Sequence, residues 1–204
     1  MKTSHLEILV EERSMEAFLQ AFLPSLLREG QTFRTVSFQG KTDLLSKLEA
    51  RLKGYAKWLP SDWRIIVIVD RDDEDCLVLK RQLEDAAQRA NLISRTRSGG
   101  KAWHIANRIA IEELEAWYFG DWSAVREAYP RVKENLSSKK NFRDPDAIQN
   151  TWESLEKILQ KHGYFKGGLT KIEAARKIGT HIRPERNTSH SFGVFLRTIT
   201  EISK

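Results

Sequence analysis

Cysteine is nearly absent from this 204-residue chain: Cys76 is the only one. An intrachain disulfide is excluded, and a reducing, cytoplasmic setting is expected. No apolar run approaches the roughly 20 residues that cross a bilayer as a helix. The opening MKTSHLEILVEERS puts acids where an export signal needs its apolar stretch, so neither export nor a membrane is expected. Gly99-Gly100-Lys101 is only a fragment of the phosphate-loop spacing Gly-x-x-x-x-Gly-Lys-Ser/Thr, so the chain is not itself expected to be a P-loop ATPase. The five histidines show no zinc spacing. His104, inside an apolar stretch, reads as structural, and Cys76 has no evident histidine partner that would make it a nucleophile.

What is present suits one sizeable globular domain, with 40% hydrophobic and 30% charged residues. The formal charge of +6 is unevenly spread. Residues 1–130 hold 19 basic and 20 acidic residues, a net of −1, whereas residues 131–204 hold 15 and 8, a net of +7. A basic segment beside an acid-containing one suits a protein that steers a polyanion towards a metal site; a solvated helical surface would look the same.

LEILV (6–10) reads as a buried strand, and residues 15–29 as a helix kinked or restarted at Pro24. TFRTVSFQ (32–39) alternates like a half-buried strand, and residues 43–59 form an amphipathic helix closed by Pro60. RIIVIVD (64–70), five branched aliphatics ending in aspartate, is the pattern of a central strand covered on both faces. A helix over 76–90, a strand over 91–97, a turn at Gly99-Gly100, a strand over 103–111 and a helix over 112–129 are expected next. Beyond Pro130 come a polar stretch (131–146) with a loop signal at Ser137-Ser138, then helical periodicity over 147–163, 168–182 and 191–203. Strands alternating with helices indicate an α/β fold around a mostly parallel sheet. The basic helical extension from about 131 onward is expected to pack on that core. Trp103, Trp117 and Trp122 read as core or interface residues, with base stacking the alternative for one or two of them.

Ligands of open α/β sheets sit beyond the carboxyl ends of the strands, and two of those ends are acidic here. The first leads into Glu11-Glu12, and the central one into Asp70-Arg71-Asp72-Asp73-Glu74-Asp75. In extended chain, residues two apart share a side, so Asp70 and Asp72 can converge on one ion while Arg71 points away. Glu112, Glu113 and Glu115 form a third group, whose Glu-x-Glu spacing can supply ligands to a second ion. Carboxylates without Cys or His partners suit Mg2+ or Mn2+ rather than zinc. The competing reading is capping, with Asp72 or Asp73 as the cap of the helix near Cys76. Lys80, Lys171, Arg176 and Arg186 are candidates to add positive charge at a phosphate. Arg186-Asn187-Thr188-Ser189-His190-Ser191, ahead of a helix, offers phosphate donors; a capped helix start with Phe192 and Phe195 in the core is the alternative.

A strand ending in Val-Glu and a central strand ending in Asp-x-Asp resemble the Toprim domain of topoisomerases, bacterial primases and the overcoming-lysogenization-defect nucleases. LVEERSMEAFLQAFLP, VDRDDEDC, RIAIEELEAWYFGD and RNTSHSFGVF together resemble a Toprim-like bacterial family of unassigned function, some members of which are encoded beside AAA-type ATPases. The resemblance spans nearly the whole chain and implies a Toprim-like catalytic core over 1–130. It makes Glu11 the Toprim glutamate, acting as general acid/base or metal ligand, and Asp70 and Asp72 the metal-binding pair, with Asp73 beside them. Glu113 and Glu115 would complete a nuclease-type site, with Glu115 among the catalytic residues. Two positions depart from the pattern: Glu12 replaces the glycine after the glutamate, and Met15 replaces the second acid, leaving Glu12 or Glu16 to stand in. The implied activity is Mg2+- or Mn2+-dependent cleavage of DNA or RNA, as the effector of an anti-phage defence pair with an AAA-type ATPase. A non-catalytic partner module is the alternative, and a nucleotidyl or phosphoryl transferase a distant third.

Overall fold

The structure, a computed structural model, describes residues 2–136 and 139–203, so the Ser137-Ser138 loop signal lies outside the described residues. Strands β1 (His5–Val10), β2 (Thr32–Ser37), β3 (Trp63–Asp70) and β4 (Ile105–Ala110) form one sheet in the order β2-β1-β3-β4. All its pairings are parallel, so the expected α/β architecture is present, an arrangement consistent with a Toprim-like fold. Helices α1 (Arg13–Phe22), α2 (Lys41–Ala56) and α3 (Cys76–Arg89) are the crossovers. After β4 come α4 (Leu114–Gly120), α5 (Trp122–Ala128), α6 (Thr151–Lys161), α7 (Lys171–Gly179) and α8 (His190–Ile202).

The side-chain alternation of β1 and β3 divides the core. Leu6, Ile8, Val10, Ile66 and Ile68 face one apolar cluster, shared with α1 and with α4–α8. Leu9, Ile65, Val67 and Val69 face the other, built on α2 and α3. Both faces of β3 are covered, which explains its unbroken aliphatic run. The chain leaves β1 towards β2 on one side and returns to β3 on the other. The strand order therefore reverses between the carboxyl ends of β1 and β3, where such sheets place their ligands.

The basic last third closes over the α1 face. Gly179 of α7 lies so near α1 that a Cβ there would stand 3.1 Å from both the Phe18 carbonyl and the Ala21 methyl. Trp103, Trp117 and Trp122 are all buried.

Three expected elements take another form. Residues 91–97 are turns, with Ser94 making a single bridge to Ile105. Asn91, at φ 58°, ends α3 in a left-handed conformation, and the Ser94 hydroxyl goes to Glu84 instead of leaving a free ladder. The helix expected over 112–129 is two helices broken at Asp121. Gly120 accommodates the break, because a Cβ there would lie 2.1 Å from Asn187 Oδ1. Residues 147–163 become a 3-10 turn at Pro145–Ala147 and then α6, separated by left-handed Asn150. Pro24 sits in a 3-10 turn that ends the first helical segment.

Candidate active site at the sheet's carboxyl rim

Asp70 is the last residue of β3 and shares the parity of Ile66 and Ile68, so its side chain turns to the α1 and α4 side. It is 6% exposed, and its Oδ1 has no hydrogen-bond partner. An orphaned buried carboxylate oxygen is costly unless something else satisfies it. Burial, followed by the charges of Glu11, Glu115, Glu12 and Asp72, holds its carboxyl well above the usual carboxylate range.

These neighbours come from three elements. Glu11, just past β1, accepts the Asp70 N–H at Oε2 over 3.2 Å. Burial pushes it up to about 7, with Asp72 and Glu12 adding to the rise while Asp70 N–H and Lys41 oppose it. Glu115, in the first turn of α4, is 3% exposed. Burial raises it to about 7 against the pull of Lys171, and Glu113 and Glu12 add to the rise. Glu12, ahead of α1, takes a bond from the Ser14 hydroxyl.

Two lysines balance this charge. Lys171, at the start of α7, lies 3.8 Å from Glu113 and 5.1 Å from the Trp152 ring centre. Burial works against its ammonium, yet Glu115, Glu12, Glu113 and Asp70 hold it above the ordinary lysine range. Lys41, at the start of α2, reaches Asp72 at 2.7 Å, Glu74 at 3.1 Å and the Arg71 carbonyl at 2.9 Å.

The alternation expected to bring Asp72 beside Asp70 stops with β3. Asp72 is left-handed, at φ 49°, and its carboxylate pairs with Lys41, although its charge still raises Glu11 and Asp70. Arg71 turns to Glu112. Asp73 is exposed. The capping expected of Asp72 or Asp73 falls to Asp75, which accepts from the N–H groups of Leu77 and Val78. Glu113 accepts from Thr151 Oγ1 at 2.8 Å and Trp152 N at 3.1 Å, so it holds the start of α6. Glu16 is held towards β2 by Thr35 and Ser37, and Met15 is buried in the core.

Of the basic candidates, only Lys171 faces the acids. Lys80 donates to the Asn107 carbonyl at 2.6 Å and pairs with Glu84 at 3.1 Å, beside β4. Arg176 is exposed on α7. Arg186 is held by Asp121 at 3.1 Å and Glu127 at 2.8 Å. Asn187 donates to the Trp117 carbonyl, and Ser189 caps α8 while donating to Asp146. The block 186–189 thus clasps α8 to α4, which is the capped-helix alternative.

Sequence reasoning missed Tyr118. Its buried phenol oxygen has no hydrogen-bond partner, and burial followed by Glu115, Asp70 and Glu12 raises its pKa far above the usual value. It lies three residues after Glu115, one helical turn along the same face, a spacing visible in the sequence once α4 is recognised. Lys41 was also missed; only the fold brings the start of α2 to the 71–75 loop.

All-oxygen donors suit a hard divalent cation, and an orphaned carboxylate oxygen is what such an ion would satisfy. As the side chains stand, no three Asp, Glu, His or Cys groups among the described residues are arranged to hold a metal ion. Among those residues no helix is long and apolar enough to cross a membrane.

A protein-family model described as a domain of unknown function (DUF4276) matches residues 10–200. No curated protein and no solved structure matches the chain. The match covers nearly all of the sequence, and the chain belongs to that family.

Proposed function

For this member of the DUF4276 family we propose a magnesium- or manganese-dependent nuclease of Toprim type that hydrolyses nucleic-acid phosphodiesters. One observation carries the reading: Asp70, buried at the reversal of strand order, has an unpartnered oxygen, donates its N–H to Glu11 and feels the charges of Glu11, Glu115 and Glu12. Structural acids removed from water are normally bonded, whereas groups with strongly perturbed pKa values in one cluster mark chemistry.

A divalent cation that drew the side chains of Asp70, Glu11 and Glu115 together would offset the charge that develops on the phosphate oxygens during hydrolysis. Asp72 joins that set only by exchanging its pairing with Lys41. Glu11, raised to about 7 in the metal-free protein, would give up its proton to bind the cation, while the Asp70 N–H donates to its Oε2. Lys171 supplies a fixed positive charge beside the carboxylates and can meet a phosphate oxygen.

Incubating wild type and Asp70→Asn with DNA and RNA under magnesium or manganese tests this. The substitution keeps the shape and removes the charge, so cleavage should fall by about 100-fold or more, the scale set by loss of one key electrostatic contact. Equal cleavage by the two proteins refutes the assignment.

A non-catalytic module that partners an AAA-type ATPase is a second reading. It is favoured by Met15, which fills the core where the Toprim-nuclease pattern has an acid, and by the engagement of Asp72 with Lys41. Metal binding without turnover, with and without such an ATPase, would select it.

A further inference from the structure

We propose that the cavity between α4, α5 and the 139–143 turn, lined by Arg126, Arg143 and Arg186, seats the phosphate backbone of a single nucleic-acid strand. The identity of the polyanion rests on the nuclease reading; the cationic character of the site does not. The cavity encloses about 450 Å³, within the usual range for ligand sites.

Its three arginines are not equivalent. Arg186 is fixed in the wall by Asp121, Glu127 and the His181 carbonyl, so most of its charge is spent. Arg126 of α5 and Arg143 are exposed and have no hydrogen bond or ion pair among the described residues. Two arginines without a partner among the described residues, lining one hollow beside an Asp121 already held by Arg186, favour an anion there, and their planar forks match phosphate oxygens. Ser123 and Thr188 border the same hollow, the Thr188 hydroxyl donating to the Gly120 carbonyl. Half-buried Phe142 packs on Phe119, with ring centres 5.4 Å apart, and offers a face to a base.

An extended strand fits better than a small anion. Lys140 is exposed on the same turn as Arg143, in the segment 131–204 that carries the excess positive charge. Charges spread along a surface favour a chain of phosphates over one.

The test is fluorescence anisotropy with a labelled single-stranded DNA or RNA oligonucleotide, over a salt series, in chelator so that nothing is cleaved. Against wild type stand the pairs Arg126→Gln with Arg143→Gln and Arg126→Lys with Arg143→Lys. The Gln pair should bind about tenfold more weakly, and its salt dependence should be shallower by about 1.4 in log–log slope, two phosphate contacts at ~0.7 each. The Lys pair should recover the slope. Inorganic phosphate and a nucleoside monophosphate should compete poorly. No wild-type binding, an unchanged slope in the Gln pair, or equal competition by the monophosphate overturns the proposal. The two readings fail separately: Asp70→Asn that still cleaves sinks the nuclease site and leaves the strand site standing, whereas an indifferent Gln pair does the reverse.

Discussion

Glu84 and Asp70 are both acids withdrawn from water, at 4% and 6% exposure, on opposite sides of the sheet. Glu84 receives the Ser94 hydroxyl, the Asn107 amide at 3.0 Å and the Lys80 ammonium at 3.1 Å. Burial alone would raise it, but these partners hold it below the ordinary glutamate range. Asp121, at 2% exposure, is equally well served: it caps α5 and accepts from Arg183 N and Arg186. Asp70 instead feels the charges of four further acids, Glu11, Glu115, Glu12 and Asp72, and one of its oxygens has no hydrogen-bond partner. Burial is common to all three; the partners separate an acid that holds the fold from one that awaits a ligand.

That contrast should appear most strongly in stability. Glu84→Ala leaves Lys80 and Asn107 without their partner and should cost on the order of 3 kcal/mol, the scale for breaking a buried pair. Asp70→Asn in metal-free protein should leave the melting temperature unchanged or raise it, because the amide never ionises among the neighbouring acids. Thermal melts of both variants check this, and a large loss in Asp70→Asn would erase the distinction.

A medium effect is expected from pH. Glu11 and Glu115 both have folded pKa values of about 7, above the ordinary 4.5. An acid raised on folding binds its proton more tightly in the native state. The metal-free protein should therefore be most stable below about pH 4.5 as far as these groups are concerned, and lose that contribution as pH rises through 7. Magnesium should raise the melting temperature more at pH 8 than at pH 5, by roughly 2–4 °C for each kcal/mol of linkage in a chain of this size. An equal shift at both values would separate the acids from the metal.

The smallest effect belongs to Tyr118→Phe. Removing a hydroxyl that bonds to nothing should change stability by less than about 1 kcal/mol. A fall in cleavage at unchanged melting temperature would then place the phenol at the reacting phosphate.

Much of this fold was legible. Five consecutive branched aliphatics ending at Asp70 mark a strand covered on both faces, and helices between strands imply parallel crossovers. What escaped depends on contacts between distant residues. The break at Asp121 is set by Arg183, Arg186 and Asn187, more than 60 positions away. Residues 91–97 have strand-like composition, yet Asn91 turns the chain and Glu84 takes the Ser94 hydroxyl. The acids at the rim were visible as groups, but their division of labour was not. Glu113 serves α6, Asp75 serves α3 and Asp72 serves Lys41, each through a partner that only the fold supplies.

The most direct measurement is calorimetric titration of metal-free protein with manganese at pH 8, comparing wild type, Asp70→Asn and Glu84→Gln. The account predicts binding to wild type and to Glu84→Gln, and loss of binding in Asp70→Asn. Manganese bound equally well by Asp70→Asn, or not bound by a folded wild type, would contradict it.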